Sequence, residues 1–585
     1  MEIATGLKTQ IENEIRDYFD GVVNISEDYN FSQPKLVRRI SLFENHIYPT
    51  GKFDSRGNYK FWYDIITPRI DAEVKNIDFD TKNIEIYSER KIDALATVVS
   101  NLKLREWLRE NGEAEEINSA VEEGASWGNV VWKKIKGGYE RVDLKNFYVI
   151  NQTASNLSQS PTIERYQYSQ SDLRAKIGVW DNVQETIDEC DSNYYAPTAE
   201  TQGKETTTPF YEIFERNGEV KLSDLKKSKG KEVKEADENE FVLAKVIVSA
   251  KKSSVSSNVE IKYILYADEI KEMPFEEYHR SRYKGRWFRE GLTELLFDCQ
   301  VRANQIGNQI AQGLEWASKT IFTSADKLIV QNILSDLNNG DIIRTQGINQ
   351  VNVRMEGFDQ LAAEWNRIIQ LANDIANSRE IVQGESLPSG MPFRLGSLLN
   401  INANKLFDFI REKLAIPLTT VFERWIVPEL IKDLKAQDVI RLTGDSQMLD
   451  RIYQMIIDDW YLNNLLTIGP HGQEIADTLK AQKLEELKSQ PELLMTGLQK
   501  VFEGFKPNVS VIITGENSRL PEDLQTLGTF IQMEADPVRR QALIEIALRK
   551  KGIDAGALPK TEPNVLAGQK SDMTKVALSA GELNQ

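Results

Sequence analysis

The sequence predicts an α+β protein with several packed units. Runs rich in β-branched and aromatic residues lie between residues 129 and 270. Long segments with apolar residues every three or four positions lie between residues 290 and 430. The chain has 585 residues, more than the roughly 250 to 300 at which a single core stops growing. About two to four packed units are therefore expected.

The first 210 residues are expected to be helical, with one hairpin. Pro34 follows Ser32 at a helix start, and Gly112 ends a later helix. Two β-rich runs flank Gly137 and Gly138, which is typical of a hairpin. The predicted elements are helices at Pro34–Tyr48, Lys91–Gly112 and Ser171–Glu189, the hairpin within residues 129–150, and a surface loop at residues 191–208.

Three strands are predicted between residues 210 and 270. Their sequences are FYEIFER, EFVLAKVIVSA and VEIKYILYA. The charged segment KLSDLKKSKGKEVKEADENE between the first two is expected to be a solvated connection. Many α+β domains share such a pattern, so this region does not discriminate between functions.

The segment from Glu290 to Lys319 is predicted to be one long helix with two distinct faces. Its apolar face consists of Leu292, Leu295, Leu296, Cys299, Ala303, Ile306, Ile310, Leu314 and Ala317. The opposite face carries the amides Asn304, Gln305, Asn308, Gln309 and Gln312. Amides hydrogen-bond across an interface without the desolvation penalty of buried charge, which favours packing between identical neighbours. The alternative is an ordinary solvent-exposed face.

Further mixed structure is expected on both sides of a second long helix. Residues 320–353 contain an Asn-Asn-Gly turn, with strands expected around Ile342 and Val351. The second long helix is predicted from Phe358 to Glu380. Later strands are predicted at Asp438–Arg441 and Asn508–Thr514 and are expected to rejoin the large sheet of the earlier region. Helices that start at Pro521 and Pro537 and a loosely ordered end are expected to follow.

A rigid loop leads into a third long helix. Pro388 and Pro392 fix φ near −65°, while Gly384 and Gly390 free it, so the loop is expected to have a defined shape with hinges at its edges. An apolar helix face follows, formed by Leu398, Ile401, Leu406, Phe409, Ile410, Leu414 and Ile416. This segment could be a working loop or an ordinary proline-rich connection.

Composition excludes several classes of protein. No apolar run approaches the ~18 residues of a membrane span, and the charged N-terminus lacks a signal-peptide core, so a cytoplasmic start is expected. The two cysteines, Cys190 and Cys299, provide no disulfide framework. The formal net charge of −17 argues against a protein that grips DNA phosphates over its whole surface. It suits a wall past which DNA moves without sticking, but also a plain soluble surface.

The sequence predicts no catalytic, cofactor-binding or metal site. It has no phosphate-binding G-x-x-x-x-G-K-[ST] motif, so an ATPase of the phosphate-loop class is not expected. The three histidines, His46, His279 and His471, have no partner at metal-ligand spacing. Adjacent acids such as Glu122 and Glu123 point to different faces of a helix, which favours a solvated surface over a Mg²⁺ site. An enzyme is therefore not expected.

The strongest local positive charge lies between His279 and Glu290. There Arg280, Arg282, Lys284, Arg286 and Arg289 interleave with Tyr283, Trp287 and Phe288. Such a run is typical of nucleic-acid contact by arginine and aromatic stacking. It is equally typical of a contact between subunits, in which arginines pair with acids of a neighbour.

Two stretches resemble the portal proteins of tailed bacteriophages. One is RSRYKGRWFREGLTELLFDCQVRANQIGNQIAQGLEWASK, residues 280–319, which is similar to the family's entry into a stem helix. The other is REIVQGESLPSGMPFRLGSLLNINANKLFDFIREKLAIPLTTVFERWIVPEL, residues 379–430, which is similar to a tunnel loop and the helix behind it. The order of the predicted elements fits the family over most of the chain.

The resemblance implies a division of the chain. It comprises a wing (1–285), stem helix 1 (286–319), a clip (320–356), stem helix 2 (357–380), a tunnel loop (381–397), the tunnel helix with a C-terminal part of the wing (398–515), and a helical crown with a flexible tail (516–585). It also implies a ring, dodecameric in the family, at one capsid vertex of the virion. The ring would be assembled in the host cytoplasm, without a membrane.

The resemblance also implies partners and site residues. The implied partners are double-stranded DNA, the terminase motor, the major capsid protein and neck or tail adaptor proteins. DNA would be bound weakly as it passes through the ring during packaging and ejection. The ring would also nucleate capsid assembly. The candidates to face DNA are Glu385, Ser386, Leu387, Pro388, Ser389, Met391, Phe393 and Arg394. The candidates for contacts between subunits are Arg286, Arg289, Asn304, Asn308 and Gln312. The alternative function is that of another oligomeric virion connector or tail adaptor.

Overall fold

A computed structural model shows a mixed helix and sheet protein, which confirms the predicted α+β class. The chain divides into two compact units, Met1–Thr514 and Gly515–Gln585. The second unit, with the predicted crown, lies outside the described residues. These are residues 4–53, 57–77, 84–88, 94–194, 211–252, 259–318, 321–324, 348–351, 357–376, 393–432, 453–454, 456–458, 460–461, 473–489, 502, 505 and 507–511.

The described helices range in length from 4 residues (α9) to 29 residues (α12). In chain order they are α1 (Thr5–Asp20), α2 (Gln33–Glu44), α3 (Thr67–Ile77), α4 (Ala94–Glu110), α5 (Glu113–Trp127), α6 (Gln170–Arg174), α7 (Val183–Tyr194), α8 (Leu222–Ser228), α9 (Leu292–Leu295), α10 (Phe297–Ser318), α11 (Phe358–Ala376), α12 (Phe393–Val421), α13 (Val427–Lys432) and α14 (Gln473–Ser489).

The described strands form two larger sheets and three two-stranded ribbons. The strands are β1 (Val23–Ser26), β2 (Tyr29–Phe31), β3 (Ile84–Tyr87), β4 (Asn129–Ile135), β5 (Gly138–Arg141), β6 (Phe147–Val149), β7 (Thr162–Tyr168), β8 (Tyr211–Lys221), β9 (Phe241–Lys252), β10 (Val259–Glu269), β11 (Phe275–His279), β12 (Ile321–Ser324), β13 (Ile348–Val351) and β14 (Asn508–Val511). The sheet orders are β10-β9-β8-β7-β6 and β11-β4-β5, and the ribbons are β1-β2, β12-β13 and β14-β3.

The five-stranded sheet is antiparallel throughout, and helices cover both of its faces. On one face, Leu7 and Ile11 of α1 share an apolar cluster with Phe214. On the other, Leu173 of α6 and Ile187 of α7 pack against strand residues. Because both faces are covered, β9 carries a nearly continuous apolar run, and β8 is buried along most of its length although it contains charged residues.

Lys133 joins the three-stranded sheet to the five-stranded sheet. Its Nζ lies 2.6 Å from a Glu164 carboxylate oxygen on β7 and 2.8 Å from one of Glu215 on β8. Burial disfavours the charged ammonium, but the Glu215 and Glu164 carboxylates more than offset this, so the pKa of Lys133 is raised. Loss of one partner would leave a buried charge uncompensated, so this cluster holds the two sheets in one arrangement.

The helices α10 and α11 pack together in an apolar core. Ile306 of α10 and Ile368 of α11 belong to one apolar cluster with Trp287, which precedes α9. Between the two helices, β12 and β13 form a ribbon in which Ile321 lies opposite Val351. Among the described residues between α10 and α11, these two strands are the regular elements.

Several predicted elements are confirmed. The helix predicted at Pro34–Tyr48 is α2, the helix predicted at Lys91–Gly112 is α4, and the second long helix is α11, which ends at Ala376. The hairpin predicted around Gly137 is formed by β4 and β5. The three strands predicted between residues 210 and 270 are β8, β9 and β10, and the strand expected around Val351 is β13.

Other expectations were wrong. The helix predicted at Ser171–Glu189 is two helices, because α6 ends at Arg174 and Asn182 then turns the chain with a left-handed φ of 52°. The long helix predicted from Glu290 is interrupted at Leu296, between α9 and α10. The connection after β8 contains α8. The strand β14 pairs with β3 and not with the large sheet.

Candidate functional site

Three amide side chains of α10 bind the extended segment that precedes α3. They accept hydrogen bonds of 2.8–3.0 Å from backbone N–H groups, in the pairs Gln300 with Ile65, Asn304 with Tyr63 and Asn308 with Phe61. Four residues of helix rise about 6 Å, and two residues of extended chain span about 6.6 Å. Every fourth helix residue therefore meets every second residue of the segment. We call this arrangement the amide ladder.

The amide ladder changes the role that the sequence suggested for this helix face. Asn304 is only 4% exposed, and Asn308 also donates through Nδ2 to the Phe61 carbonyl at 3.0 Å. Both amides thus bind their own chain, whereas the sequence assigned them to a neighbouring subunit. Gln312 lies further along the same helix and is half-buried. The hydrogen-bonding chemistry was predicted correctly, but the partner is the backbone of this chain.

A glycine in α10 allows the segment to approach closely. A Cβ atom at Gly307 would lie 2.4 Å from Cε2 of Tyr63, so a larger residue would push the ring away. The Tyr63 hydroxyl donates to the Gly307 carbonyl at 3.2 Å. The segment is therefore held by its backbone on one side and by ring packing on the other.

The basic run between His279 and Glu290 makes its contacts within the chain. Arg280 binds both carboxylate oxygens of Glu73 on α3 at 2.8 Å, and Arg286 binds both oxygens of Glu294 on α9 at 2.8 Å. The Arg289 guanidinium donates to the Ser155 carbonyl at 3.0 Å. The sequence offered nucleic acid or a neighbouring subunit as the partner of Arg286 and Arg289. In the structure these arginines instead bind groups of the same chain, Glu294 on α9 and the Ser155 carbonyl.

Two glycines bring the segment that precedes α9 against the end of α5. A Cβ atom at Gly291 would lie 2.1 Å from the Ser126 carbonyl oxygen, and one at Gly128 would lie 2.4 Å from the Gly291 nitrogen. Asn129 uses this closeness, since its Oδ1 accepts from the Arg289 N–H at 3.0 Å. Glycine at these positions is thus required for packing, which explains the glycine in the predicted stem entry.

The helix α12 is hydrogen-bonded to the basic run between His279 and Glu290. Lys413 donates through Nζ to the Arg280 carbonyl at 3.0 Å and to the Ser281 carbonyl at 3.2 Å. Burial lowers the pKa of Lys413, and the nearby Arg289 and Arg280 charges lower it further. The junction therefore brings α3, α9 and α12 together through hydrogen bonds of the basic run.

Part of the predicted apolar face of α12 is not buried. Ile410 and Leu414 are buried with Phe407 in the core shared with α4 and α5. Phe409 and Ile416 were predicted on the same face but are 57% and 68% exposed. They were assigned to one stripe because the sequence is apolar on more than one side of this helix, and periodicity alone does not separate two such sides.

An aromatic hairpin stands beside α10. It comprises two described arms, residues 48–53 and 57–63; residues 54–56 lie outside the described part of the chain and are not counted in it. Phe53 and Tyr59 pair across it, and the rings of Phe53, Tyr59 and Phe61 lie edge to face with centroids 6.0 and 5.5 Å apart. All three side chains are more than half exposed. The signal that could have found it is a lysine next to aromatic residues after each of two glycines, Lys52-Phe53 after Gly51 and Tyr59-Lys60-Phe61 after Gly57.

An acid-lined cavity of about 510 Å³ lies between α2, α3 and α5. We call it the acidic cavity. Its carboxylates are Glu44, Asp71, Glu122, Glu123 and Asp143, with Arg141 and Lys145 as the basic groups and Phe43, Ile66, Ile70, Trp127 and Val142 as apolar wall. Burial raises the pKa of Glu123 to about 7, although Arg141 opposes this. Burial likewise raises the pKa of Glu44, whose carboxylate accepts from the Ser126 hydroxyl.

The candidates to face DNA fall largely outside the described residues. Glu385, Ser386, Leu387, Pro388, Ser389 and Met391 lie in the undescribed segment 377–392. Phe393 and Arg394, predicted in the loop, are the first residues of α12, so the helix begins inside the predicted loop. The predicted strands around Ile342 and at Asp438–Arg441 also lie outside the described residues.

The described part of the chain contains no cluster of three or more histidine, cysteine or acidic side chains that could hold a metal ion. Among the same residues, no helix is long and apolar enough to cross a bilayer. A scan of protein-family models and a search of curated proteins each find no match to this chain. Its function is therefore argued from its own residues.

Proposed function

We propose that this chain is the subunit of a portal ring at one capsid vertex of a tailed bacteriophage. In this proposal the ring encloses the channel through which double-stranded DNA is packaged and ejected. It docks the terminase motor during packaging and neck or tail adaptor proteins afterwards, and it nucleates assembly of the major capsid protein. The proposal rests on the resemblance of residues 280–319 and 379–430 to that family.

The observation that carries the proposal is the order and packing of α10, the β12–β13 ribbon, α11 and α12. A pair of long helices, joined at one end by a small ribbon and rooted at the other in an α+β region, supports a stem with a clip. The helix that follows returns to the same root, where Lys413 binds the carbonyls of Arg280 and Ser281. If α10 and α11 form the stem, these contacts would fix the end of the stem that lies in the α+β region. A fixed end would allow the stem to transmit force between a capsid and a motor.

Charge also supports the proposal. Three of the four arginines of the basic run, Arg280, Arg286 and Arg289, bind carboxylates and carbonyls of the same chain, whereas the side chain of Arg282 is exposed. Those three are therefore not offered to DNA phosphates, and the chain as a whole carries a net charge of −17. A wall that offers few cations lets a duplex pass without holding it.

The test is the copy number and position of the chain in particles. Quantitative mass spectrometry of purified virions, together with gold labelling of the chain in tail-less heads, measures both quantities. The proposal predicts about a dozen copies per particle and label at a single vertex. Label at many vertices, or a copy number that scales with the major capsid protein, would overturn it. Label on tails but not on tail-less heads would indicate a tail adaptor instead.

A further inference from the structure

The aromatic hairpin is an apolar surface that the subunit leaves uncovered. Phe53, Tyr59 and Phe61 are 61%, 53% and 55% exposed and touch one another, so they form one contiguous patch. Lys52 and Lys60 flank the rings, and Lys60 Nζ donates to the Thr50 hydroxyl at 3.0 Å. Contiguous aromatic patches on a protein surface mark interaction sites, and aromatic residues dominate interface energetics.

The hairpin cannot fold back into the acidic cavity of its own chain. The cavity wall includes Ile66, the residue that follows the amide ladder. From Ile65 at Gln300 to Phe61 at Asn308, the ladder carries the segment along α10 by roughly 12 Å. The exposed rings continue beyond this point, so the ladder directs the hairpin away from the cavity beside which it starts.

The acidic cavity has the complementary chemistry. Its rim carries the exposed carboxylates Asp71, Glu122 and Asp143, and its walls are apolar. Its volume of about 510 Å³ falls within the about 300–1,000 Å³ of ordinary binding pockets. An aromatic ring would contact the apolar wall while a flanking lysine pairs with the acidic rim.

We propose that the aromatic hairpin of one subunit docks in the acidic cavity of the next copy of this chain. The inference rests on the proposed ring, and it names the surfaces that build it. Two different surfaces of one subunit meet in such a contact, which makes it heterologous, and repetition of a heterologous contact yields a closed ring when the rotation closes. Charge complementarity selects a second copy as the occupant, because the same chain supplies both the lysines and the acids.

Charge reversal tests the contact in the full-length chain. The variant K52E/K60E should raise the concentration for half-maximal assembly by about tenfold or more, and D71K/E122K should do the same. The combination of all four changes should restore assembly, because the pairs are re-formed with opposite sign. The matched control is K221E/K231E, which changes the net charge equally at exposed lysines far from the hairpin in sequence. Native mass spectrometry measures the assembled fraction, and circular dichroism checks that each variant is folded.

Cross-linking provides a second measurement that does not depend on stability. Tyr59→Cys combined with Ser119→Cys on the cavity wall should give a ladder of covalent oligomers on oxidation, whereas each single variant should not. A monomeric wild-type chain would count against the proposed ring itself. Rings that form equally well in both charge-reversal variants, a quadruple variant without restoration, or a double-cysteine variant without a ladder would overturn the docking contact and leave the ring proposal standing.

Discussion

Amide side chains on α10 perform a task that a neighbouring strand performs in a sheet. Gln300, Asn304 and Asn308 accept from alternate backbone N–H groups of the segment 61–65. A buried N–H group without a partner costs about 1–3 kcal/mol. The residues that the sequence assigned to a partner subunit therefore stabilise the subunit itself.

The first prediction concerns this ladder. Asn304→Ala removes the acceptor of the Tyr63 N–H, so local opening of the segment should become easier by about 1–3 kcal/mol. Hydrogen exchange of peptides that cover residues 59–66 should then become about tenfold or more faster. Gln305→Ala and Gln309→Ala are the matched controls, because both amides are exposed. Equal exchange in Asn304→Ala and in the controls would contradict the ladder.

The second prediction concerns pH. Burial raises the pKa of Glu113 to about 7, although the Tyr139 hydroxyl donates to its carboxylate. The unfolded chain loses this proton near pH 4.5, so between that pH and 7 the folded state binds more protons, and its stability falls as the pH rises. Wild type should lose about 2 kcal/mol more than Glu113→Gln between pH 5 and pH 8.

Urea unfolding of both proteins at several pH values in this window measures the difference. The glutamine keeps an acceptor for Tyr139 but does not titrate, which makes it a close control. Parallel pH profiles for the two proteins would show that Glu113 does not titrate with a raised pKa in the folded state.

At the scale of elements, the sequence predicted the helices and strands with the clearest periodicity. It predicted α2, α4, α11 and β8 to β10, because caps and uninterrupted runs mark them. It missed the break at Leu296 and the turn at Asn182, because an apolar pattern continues across both positions. At Asn182 the interruption follows a local preference, since asparagine there and Gly178 before it adopt left-handed conformations that the helical pattern did not take into account.

The contacts of the candidate site were harder to predict from the sequence than the helices and strands. The amides of α10 and the arginines near residue 286 were recognised as groups that need partners. The ladder amides and Arg280 have partners more than 200 residues away in the chain, whereas Arg286 binds Glu294, which is eight residues away. A single sequence carries no signal for pairing over more than 200 residues. The same residue types are therefore expected whether their partner lies within the subunit or in a neighbouring one.

The third prediction concerns the loop between α11 and α12. Deletion of residues 386–391, which lie outside the described residues, should leave rings and capsids intact but reduce the yield of particles with full-length DNA. The reason is that a loop lining a channel acts on the passing duplex and not on subunit contacts. An equally long deletion at residues 199–204 is the control. Normal genome packaging in the loop deletion would reduce the segment to a linker.

At the scale of the whole molecule, the net charge distinguishes a channel through which DNA passes from a protein that binds DNA tightly. The chain carries 89 acidic and 72 basic residues, and Arg280, Arg286 and Arg289 of the basic run bind groups of the same chain. Acidic groups therefore outnumber the cations that could bind phosphates. The affinity for DNA should therefore depend little on salt concentration.

The fourth prediction states this as a measurement. The purified chain should bind duplex DNA weakly and without sequence preference, and a plot of log affinity against log salt concentration should be no steeper than about −2. Fluorescence anisotropy with two unrelated duplexes measures both properties. Tight binding at physiological salt with a steep slope would identify a nucleic-acid reader and would contradict the conduit.

The central claim is that copies of this chain assemble into a ring around an axial channel. Negative-stain electron microscopy of the purified full-length chain tests it most directly, since class averages show the symmetry and the hole without any partner. The account predicts rings with a central opening and twelve-fold symmetry, made of subunits of 66.7 kDa. A population of monomers or open filaments would contradict it.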